Sequence, residues 1–344
     1  MDKEHLFGKT LRELEIIAET VRLPSYAGRQ IAEWLYKKAI TDIDSMSNLS
    51  KKSRAFLSAQ YSFGLQEPAS VRVSSDGTKK YLFPAGEGKF IETAYIPEKN
   101  RHTICLSTQV GCRMGCLFCM TGKQGFQGNL TASEILNQFR SIPEWALLTN
   151  IVYMGMGEPL DNPDEVMKSL EILTSEWGFG LSPKRITVST IGIIPAMLRF
   201  LESSKAHLAV SLHSPFDEER QMLMPVQNKY PLKEVLAKIR DWDFGRQRRV
   251  SFEYILFKNL NDSPAHVNEL ARILNGIRCR VNLIRFHPIP DTSFESPDEK
   301  DVIAFRDRLN DKGITATIRA SRGEDIRAAC GLLSTYELLN RSLP

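Results

Sequence analysis

Long apolar runs are missing from this sequence. None of its 344 residues belongs to an uninterrupted apolar stretch of the roughly 18 that a membrane span needs, so no membrane association is expected. The opening Met1-Asp2-Lys3-Glu4-His5 carries acids and no apolar core, so a secretion signal is not expected there. The cytoplasm, where thiols stay reduced, is the expected compartment. Charge of neither sign dominates. The net charge of +4 permits a nucleic-acid partner without demanding one. There is no low-complexity tract. Cysteine is sparse, at six, and neither a second Cys-x-x-Cys nor a His-x-x-x-His pair occurs. Six cysteines in so long a cytoplasmic chain point to metal or catalytic work before a disulfide framework. The length allows one large domain and a smaller one.

Three of those cysteines fall in one short stretch, Cys112-Arg113-Met114-Gly115-Cys116-Leu117-Phe118-Cys119. Three thiolates on one loop suit a metal or an inorganic cluster. Structural zinc wants four ligands, usually as two pairs; the fourth would have to be Cys105, Cys279, Cys330 or a histidine. The spacing, with its fourth ligand absent, fits a [4Fe–4S] cluster held by three irons better. The glycine-containing run from Met120 to Gly125 suits a loop that wraps such a cluster.

Taken in order, residues 1–65 read as a small helical domain. Thr10 and Glu13 form a capping-box pattern. Leu11, Leu14, Ile17 and Val21 recur at helical spacing, as do Ala27, Ile31, Trp34 and Leu35. Lys37, Lys38, Lys51, Lys52 and Arg54 offer either a phosphate-contacting face or merely a solvated one. Residues 66–101 read as a β-ribbon extension. Asp76-Gly77 marks a hairpin and Lys79 and Lys80 lie on it. Glu92 stands among apolar neighbours on the next strand, where a lone acid is expected to face water.

From 102 to 320 strands and helices alternate, with strands at 103–107, 150–154, 185–189, 207–211, 249–256, 280–284 and 314–319. About six such units predict an α/β fold, a partial, TIM-like (β/α)6 barrel with its chemistry beyond the C-terminal strand ends. Cys112, Glu158, Ser189 and His213 all fall at or just after such an end. The segment 321–344 reads as a C-terminal loop followed by a helix from Ile326 to Leu338. Taken alone, Gly155-Met156-Gly157-Glu158-Pro159 is a weak signal for a ligand loop, Ser189-Thr190 and Ser211-Leu212-His213 are weaker, and Cys330 is a buried helix cysteine.

Together, Cys-x3-Cys-x2-Cys after the first barrel strand and Gly-Glu after the second resemble the radical S-adenosylmethionine superfamily. The wider match resembles the RlmN family of dual-specificity RNA adenine methyltransferases, over nearly the whole chain. It is carried by Asn48-Leu49-Ser50, Ile91-Glu92-Thr93, Thr103 to Gly128, Tyr153 to Leu160, Arg185 to Thr190, Ser211-Leu212-His213 and the run Arg322 to Gly331.

The resemblance implies a radical S-adenosylmethionine core whose cluster is held by Cys112, Cys116 and Cys119. It implies methylation of C2 of adenine-2503 in 23S rRNA and of adenine-37 in some tRNAs, with two S-adenosylmethionine molecules per turnover. Cys330 would carry the methyl group as S-methylcysteine. Cys105 would resolve the protein–RNA adduct through a transient disulfide with Cys330, and Glu92 would accept the C2 proton. Gly157, Glu158, Ser189, Ser211, Leu212 and His213 would contact S-adenosylmethionine. His287 stands where many family members have asparagine, and Leu332 where they often have glutamine. Cys279 matches no functional position. The implied partners are 23S rRNA, tRNA and a reductant protein such as a flavodoxin or ferredoxin, for a monomeric enzyme. Two alternatives remain at this point: a Cfr-type enzyme acting at adenine C8, and a non-catalytic RNA-binding protein with structural zinc.

Overall fold

The computed structural model describes residues 3–333 and 335, apart from 25, 39, 87 and 246–249. Strand β1 (Glu4–His5), helices α1 (Leu11–Thr20), α2 (Ala27–Tyr36) and α3 (Lys51–Gln60), and strand β2 (Tyr61–Ser62) make up the N-terminal unit. Thr10 and Glu13 close the capping box that starts α1: the Thr10 hydroxyl accepts from the Glu13 N–H and the Glu13 carboxylate from the Thr10 N–H. Leu14, Ile17, Ile31 and Leu35 are buried. The unit does not float. Phe179 receives Phe7, Tyr36 and Phe139 at ring-centroid distances of 6.4, 5.4 and 5.0 Å, and the apolar core runs from this unit into the main domain without a break. Lys168 pairs with Glu13 at 2.6 Å across the same seam.

Strands β3 (Ser70–Val73), β4 (Lys79–Pro84) and β5 (Phe90–Glu98) form an antiparallel meander, and β6 (Arg101–Cys105) pairs antiparallel with β5. Then β7 (Gln109–Val110) and β8 (Gly128–Asn129) pair with each other, enclosing α4 (Met120–Gln124). The series α5 (Ala132–Arg140), β9 (Asn150–Tyr153), α6 (Pro163–Thr174), β10 (Ile186–Thr190), α7 (Ile194–Ser203), β11 (His207–Ser211), α8 (Asp217–Leu223), α9 (Leu232–Arg240), β12 (Val250–Leu256), α10 (Pro264–Leu274), β13 (Cys279–Arg285), α11 (Glu299–Asp311) and β14 (Ala316–Ile318) completes the chain's regular structure. One ten-stranded sheet runs β14-β13-β12-β11-β10-β9-β6-β5-β4-β3, and its strands from β6 to β14 are all parallel. This is the expected partial barrel: β14 and β3 are its two open edges. The ribbon is that sheet's antiparallel margin.

Successive side chains of a strand point to opposite faces. One face carries Ile104, Ile151, Tyr153, Ile186, Val188, Leu208, Val210, Phe252, Tyr254, Val281 and Leu283, all buried in the main core. The register then fixes the other face. Lys80 lies opposite Ala94, Ala94 opposite Cys105 and Cys105 opposite Val152. Ser189 lies opposite Ala209, Ser211 opposite Glu253 and Glu253 opposite Asn282. The barrel's inner face is therefore the polar one.

Three expectations need correction. Glu92 does not face water: it is 8% exposed and its carboxylate lies 2.9 Å from the Lys80 ammonium. Lys80 is consequently no phosphate contact, and Lys79 turns to Glu144 at 2.6 Å. The helix expected from Ile326 to Leu338 is absent over 326–333, which is loop and turn with left-handed backbone at Arg327 and Gly331; residues 334 and 336–338 of it lie outside the described residues, as does Arg249 of the strand expected at 249–256.

Removing the Thr10 hydroxyl strips the cap from α1. Thr10→Ala should cost about 1 kcal/mol, read as a lower urea midpoint with an unchanged slope.

Candidate active site

The three clustered cysteines sit on the excursion that β7 and β8 pinch at its base. Gly111 starts it at φ +69°, and a Cβ there would lie 1.6 Å from the Gly125 carbonyl oxygen, so only glycine lets the two arms touch. Cys119 N–H donates to the Cys116 carbonyl at 3.2 Å and Leu117 N–H to the Leu223 carbonyl at 3.1 Å. Burial pushes the Cys112 thiol up to about 12, with Cys119 among the anions that add to it. Cys116 is pushed well up by burial and by both other cysteines, and Cys119 is raised chiefly by burial. Among the described residues no three His, Cys, Asp or Glu side chains are gathered to hold a single metal ion. All six cysteines are free thiols.

Gly155 to Pro159 follows β9 and packs against the end of β6. A Cβ on Gly157 would meet the Gln109 side chain at 2.5 Å, and its φ is +94°. Gln109 accepts from the Glu158 N–H at 2.9 Å and donates to Asp161 at 2.9 Å; Asp161 in turn pairs with Arg113 of the cysteine loop at 2.8 Å. The Glu158 carboxylate accepts from Leu160 N–H at 3.1 Å and Ile191 N–H at 3.0 Å. It is thus a brace between the ends of β9 and β10. Burial raises its pKa to about 7 against those hydrogen bonds.

Ser189 and Ser211 stand on the inner face, half-buried. Leu212 points the other way, fully buried in the core, so only its backbone reaches the rim. His213 is buried at φ +56°. Its Nδ1 accepts from the Ile255 N–H at 3.0 Å, and its ring meets Phe118 edge-on at 4.7 Å. Burial, with Arg220 nearby, lowers its pKa to about 3, so it is neutral. His287 faces the C-terminal loop, its Nε2 3.2 Å from the Ser321 hydroxyl.

Glu92 is held from behind. Its carbonyl accepts from the Ser107 hydroxyl at 2.6 Å, and Ser107 Oγ accepts from the Met156 N–H at 2.8 Å. Gln138 binds Thr93 at 2.6 Å and the Ser107 backbone at 2.8 and 2.9 Å. Every donor in this buried set has its acceptor, which makes the set rigid.

Cys330, exposed, reaches this region on the loop after β14. Gly331 accepts from the Met120 N–H at 2.9 Å and Leu333 from the Thr121 hydroxyl at 2.6 Å, so the loop lies along α4. Ala328 packs with Ala94, Cys105 and Val152 on the inner face. The Cys330 thiol is close enough to raise both Cys105 and Cys119 further, although burial is the main cause for each; Cys105 reaches about 12.

Residues 106–271 match the description "Radical SAM superfamily", and residues 5–62 match "Ribosomal RNA large subunit methyltransferase N-terminal domain". The chain is 58% identical over 335 residues to the "Probable dual-specificity RNA methyltransferase RlmN" of Parabacteroides distasonis, covering 97% of this chain and 98% of that one. It is 44% identical over 338 residues to the "Dual-specificity RNA methyltransferase RlmN" of Syntrophus aciditrophicus, covering 97% of each. The crystal structure of a radical SAM methyltransferase from Sphaerobacter thermophilus superposes with a TM-score of 0.90 at 42% identity, over 96% of this chain and 99% of that one. The chain belongs to the RlmN family. It is a radical SAM RNA methyltransferase.

A [4Fe–4S] cluster and S-adenosylmethionine come with the superfamily, and the loop fits them. Burial and the charges of neighbouring cysteines oppose ionisation of the thiols on this loop, which a bound cationic iron would offset. The polar inner face at Ser189 and Ser211 lies at the same rim.

Three RlmN-fold residues escaped the sequence reading. Arg220, on α8, is fully buried and donates to the carbonyls of Ile191 at 2.9 Å and of Ser211 and Leu212 at 3.2 Å each, and to Gln227. It ties the ends of β10 and β11. Glu253, 4% exposed, accepts from Asn282 at 2.7 Å and Arg319 at 3.2 Å. Arg319 stands near both Cys105 and Cys330. A charged helix such as Asp217–Leu223 reads as solvated, and no local signal in the sequence marks these three.

His213 gives a pH test. Its folded pKa lies below the ordinary 6.5, so its contribution is complete above 6.5 and is lost as pH falls from there toward about 3. Between pH 7 and pH 5 the stability advantage of the parent over His213→Asn should narrow by ~2 kcal/mol, read from urea unfolding of both proteins at the two pH values.

Proposed function

We propose that this enzyme methylates C2 of adenine-2503 in 23S rRNA and of adenine-37 in some tRNAs, with the methyl group carried on Cys330. The observation that supports this most is the docking of the Cys330 loop on α4, which brings one exposed thiol near both Cys105 and the cluster-loop cysteine Cys119. The printed name of the relatives, a dual-specificity RNA methyltransferase, agrees with two RNA substrates.

In this reading Cys112, Cys116 and Cys119 hold the cluster. Once bound, and reduced by a flavodoxin or ferredoxin, it supplies the electron that splits S-adenosylmethionine, two molecules of which are used per turnover. Gly157, Ser189 and Ser211 line the rim where that molecule sits. Glu158, Leu212 and His213 support the rim by bracing, by a backbone turn and by a neutral imidazole. His287 stands farther along it, against the C-terminal loop. Cys330 takes a methyl group as S-methylcysteine. Adenine C2 is an electron-poor amidine carbon, so it would be reached by a methylene radical on that sulfur, left when the 5′-deoxyadenosyl radical from the second S-adenosylmethionine takes a hydrogen atom from the S-methyl group, rather than by a sulfonium methyl. Glu92, kept beside Lys80, takes the C2 proton. Once the adduct radical has given one electron back to the oxidised cluster, Cys105 as thiolate would attack the Cys330 sulfur; the S–C bond to the adduct breaks as the Cys105–Cys330 bond forms, and the electron pair left on the methylene carbon takes a proton to complete the 2-methyl group.

The exposed Lys37, Lys51 and Lys52 of the N-terminal unit are offered to the phosphate backbone, while Lys38 lies 3.7 Å from Glu33 and over the Trp34 ring. Lys79 and Lys80 pair with acids, and Arg54 donates to the Asp44 carbonyl. The target adenine has to leave its stack to enter the barrel. The enzyme acts as a monomer in the cytoplasm.

Two measurements test this. Nucleoside mass spectrometry of methylated 23S rRNA should show 2-methyladenosine; the 8-methyl isomer would make the enzyme Cfr-type. Cys330→Ala should keep the cluster's brown colour and its cleavage of S-adenosylmethionine while RNA methylation vanishes. Methylated RNA from that variant would sink the carrier role, and a colourless parent with stoichiometric zinc would end the whole reading.

A further inference from the structure

The loop that carries Cys330 has no helix or strand of its own, so something else must fix it. Its far side is bound by the tip of the β3–β4 hairpin, some 250 residues earlier in the chain. The Ser74 hydroxyl donates to Asp325 Oδ1 at 2.6 Å and the Ser75 N–H to Asp325 Oδ2 at 3.1 Å. The Gly323 N–H donates to Asp76 Oδ2 at 3.0 Å. The Lys80 ammonium, already on Glu92, donates to the Arg327 carbonyl at 3.3 Å. Packing closes the joint. Thr78 is fully buried, and a Cβ on Gly323 would lie 2.8 Å from both Thr78 Cγ2 and Ala328 Cβ.

The tip is itself prepared for this. Ser74 N–H donates to the Thr78 carbonyl at 2.8 Å and Gly77 N–H to the Ser74 carbonyl at 3.0 Å. Asp76 uses its other oxygen to accept from the Thr78 N–H at 2.8 Å. One carboxylate thus serves its own turn and the loop together. The contacts span Gly323, Asp325 and Arg327, three alternate positions ending three residues before Cys330.

We propose that the β3–β4 hairpin is a positioning latch for the Cys330 loop, in which Ser74, Asp76 and Lys80 hold Asp325, Gly323 and Arg327 so that the Cys330 sulfur is kept in register with Cys105 and Glu92. This rests on the reading of Cys330 as methyl carrier. The latch touches neither the cysteine triad nor the inner-face serines. Loosening it leaves S-adenosylmethionine cleavage possible but spends the radical unproductively, because the S-methyl group is no longer held in reach. Lys80 is a second-purpose tether: the same ammonium sets the distance between the proton acceptor and the loop.

The test uses full-length, cluster-loaded enzyme and measures 5′-deoxyadenosine formed per adenine methylated. Asp325→Ala should raise that ratio about tenfold, since a misplacement near 1 Å can cost as much as a hundredfold. Asp325→Asn, which keeps an acceptor for Ser74, should stay within about threefold of the parent. A role in stability alone would lower both products together and leave the ratio unchanged. Ser74→Ala repeats the test with a smaller perturbation should Asp325→Ala lose its cluster colour. A ratio within twofold of the parent in the alanine variants overturns the latch. If Cys330→Ala is inactive on RNA at the same time, the carrier role stands without it; if Cys330→Ala methylates RNA, the carrier role falls and the latch with it.

Discussion

The register of the sheet is the constraint from which the site follows. A strand alternates its side chains, and an in-register parallel sheet adds those alternations up across every strand. From β6 to β14 one set is Ile, Val, Leu, Tyr and Phe, which drives helices onto one face. The alternate set includes Cys105, Ser189, Ser211, Glu253 and Asn282, which must then share the barrel interior. A slip of one residue would bury the polar set under helices and empty the interior of its chemistry. Burying that set carries a cost, because buried charges need partners. Lys80–Glu92 and Arg319–Glu253 are the two solutions visible here.

Those ion pairs explain what the sequence showed and what it hid. The strand and helix alternation was legible because periodicity is local: β11 was placed to the residue. The cysteine triad was legible because its spacing is itself the chemistry. Glu92 was misread because its partner sits on another strand, twelve residues away, and only the β4–β5 pairing brings Lys80 across. The same pairing takes Lys80 out of solvent, while Lys79 is taken up by Glu144. Arg220 was hidden for the complementary reason. Its helix looks solvated until the loops after β10 and β11 present it with three carbonyls.

The C-terminal segment was misread for a backbone reason. Ile326, Ala329, Cys330 and Leu333 have helical spacing, and periodicity cannot register that Gly323, Arg327 and Gly331 adopt left-handed backbone. A helix in that place would bond its own N–H and C=O groups. The loop instead leaves them for outside partners: Gly323 N–H goes to Asp76, and the carbonyls of Arg327, Gly331 and Leu333 go to Lys80, Met120 and Thr121.

That exchange of internal for external hydrogen bonds is what makes the cysteine useful. A helix would fix Cys330 by local geometry alone, indifferent to the rest of the site. The loop is fixed from two sides, by the sheet margin and by the helix that follows the cysteine triad. Its position therefore reports on both. The segment around Cys330 keeps its place only while β4 and α4, which bind the Arg327, Gly331 and Leu333 backbone, are both in place. The alternation that built the inner face thus also builds the margin from which the loop is hung, and a thiol distant in sequence is brought to the barrel rim without any element of regular structure belonging to it.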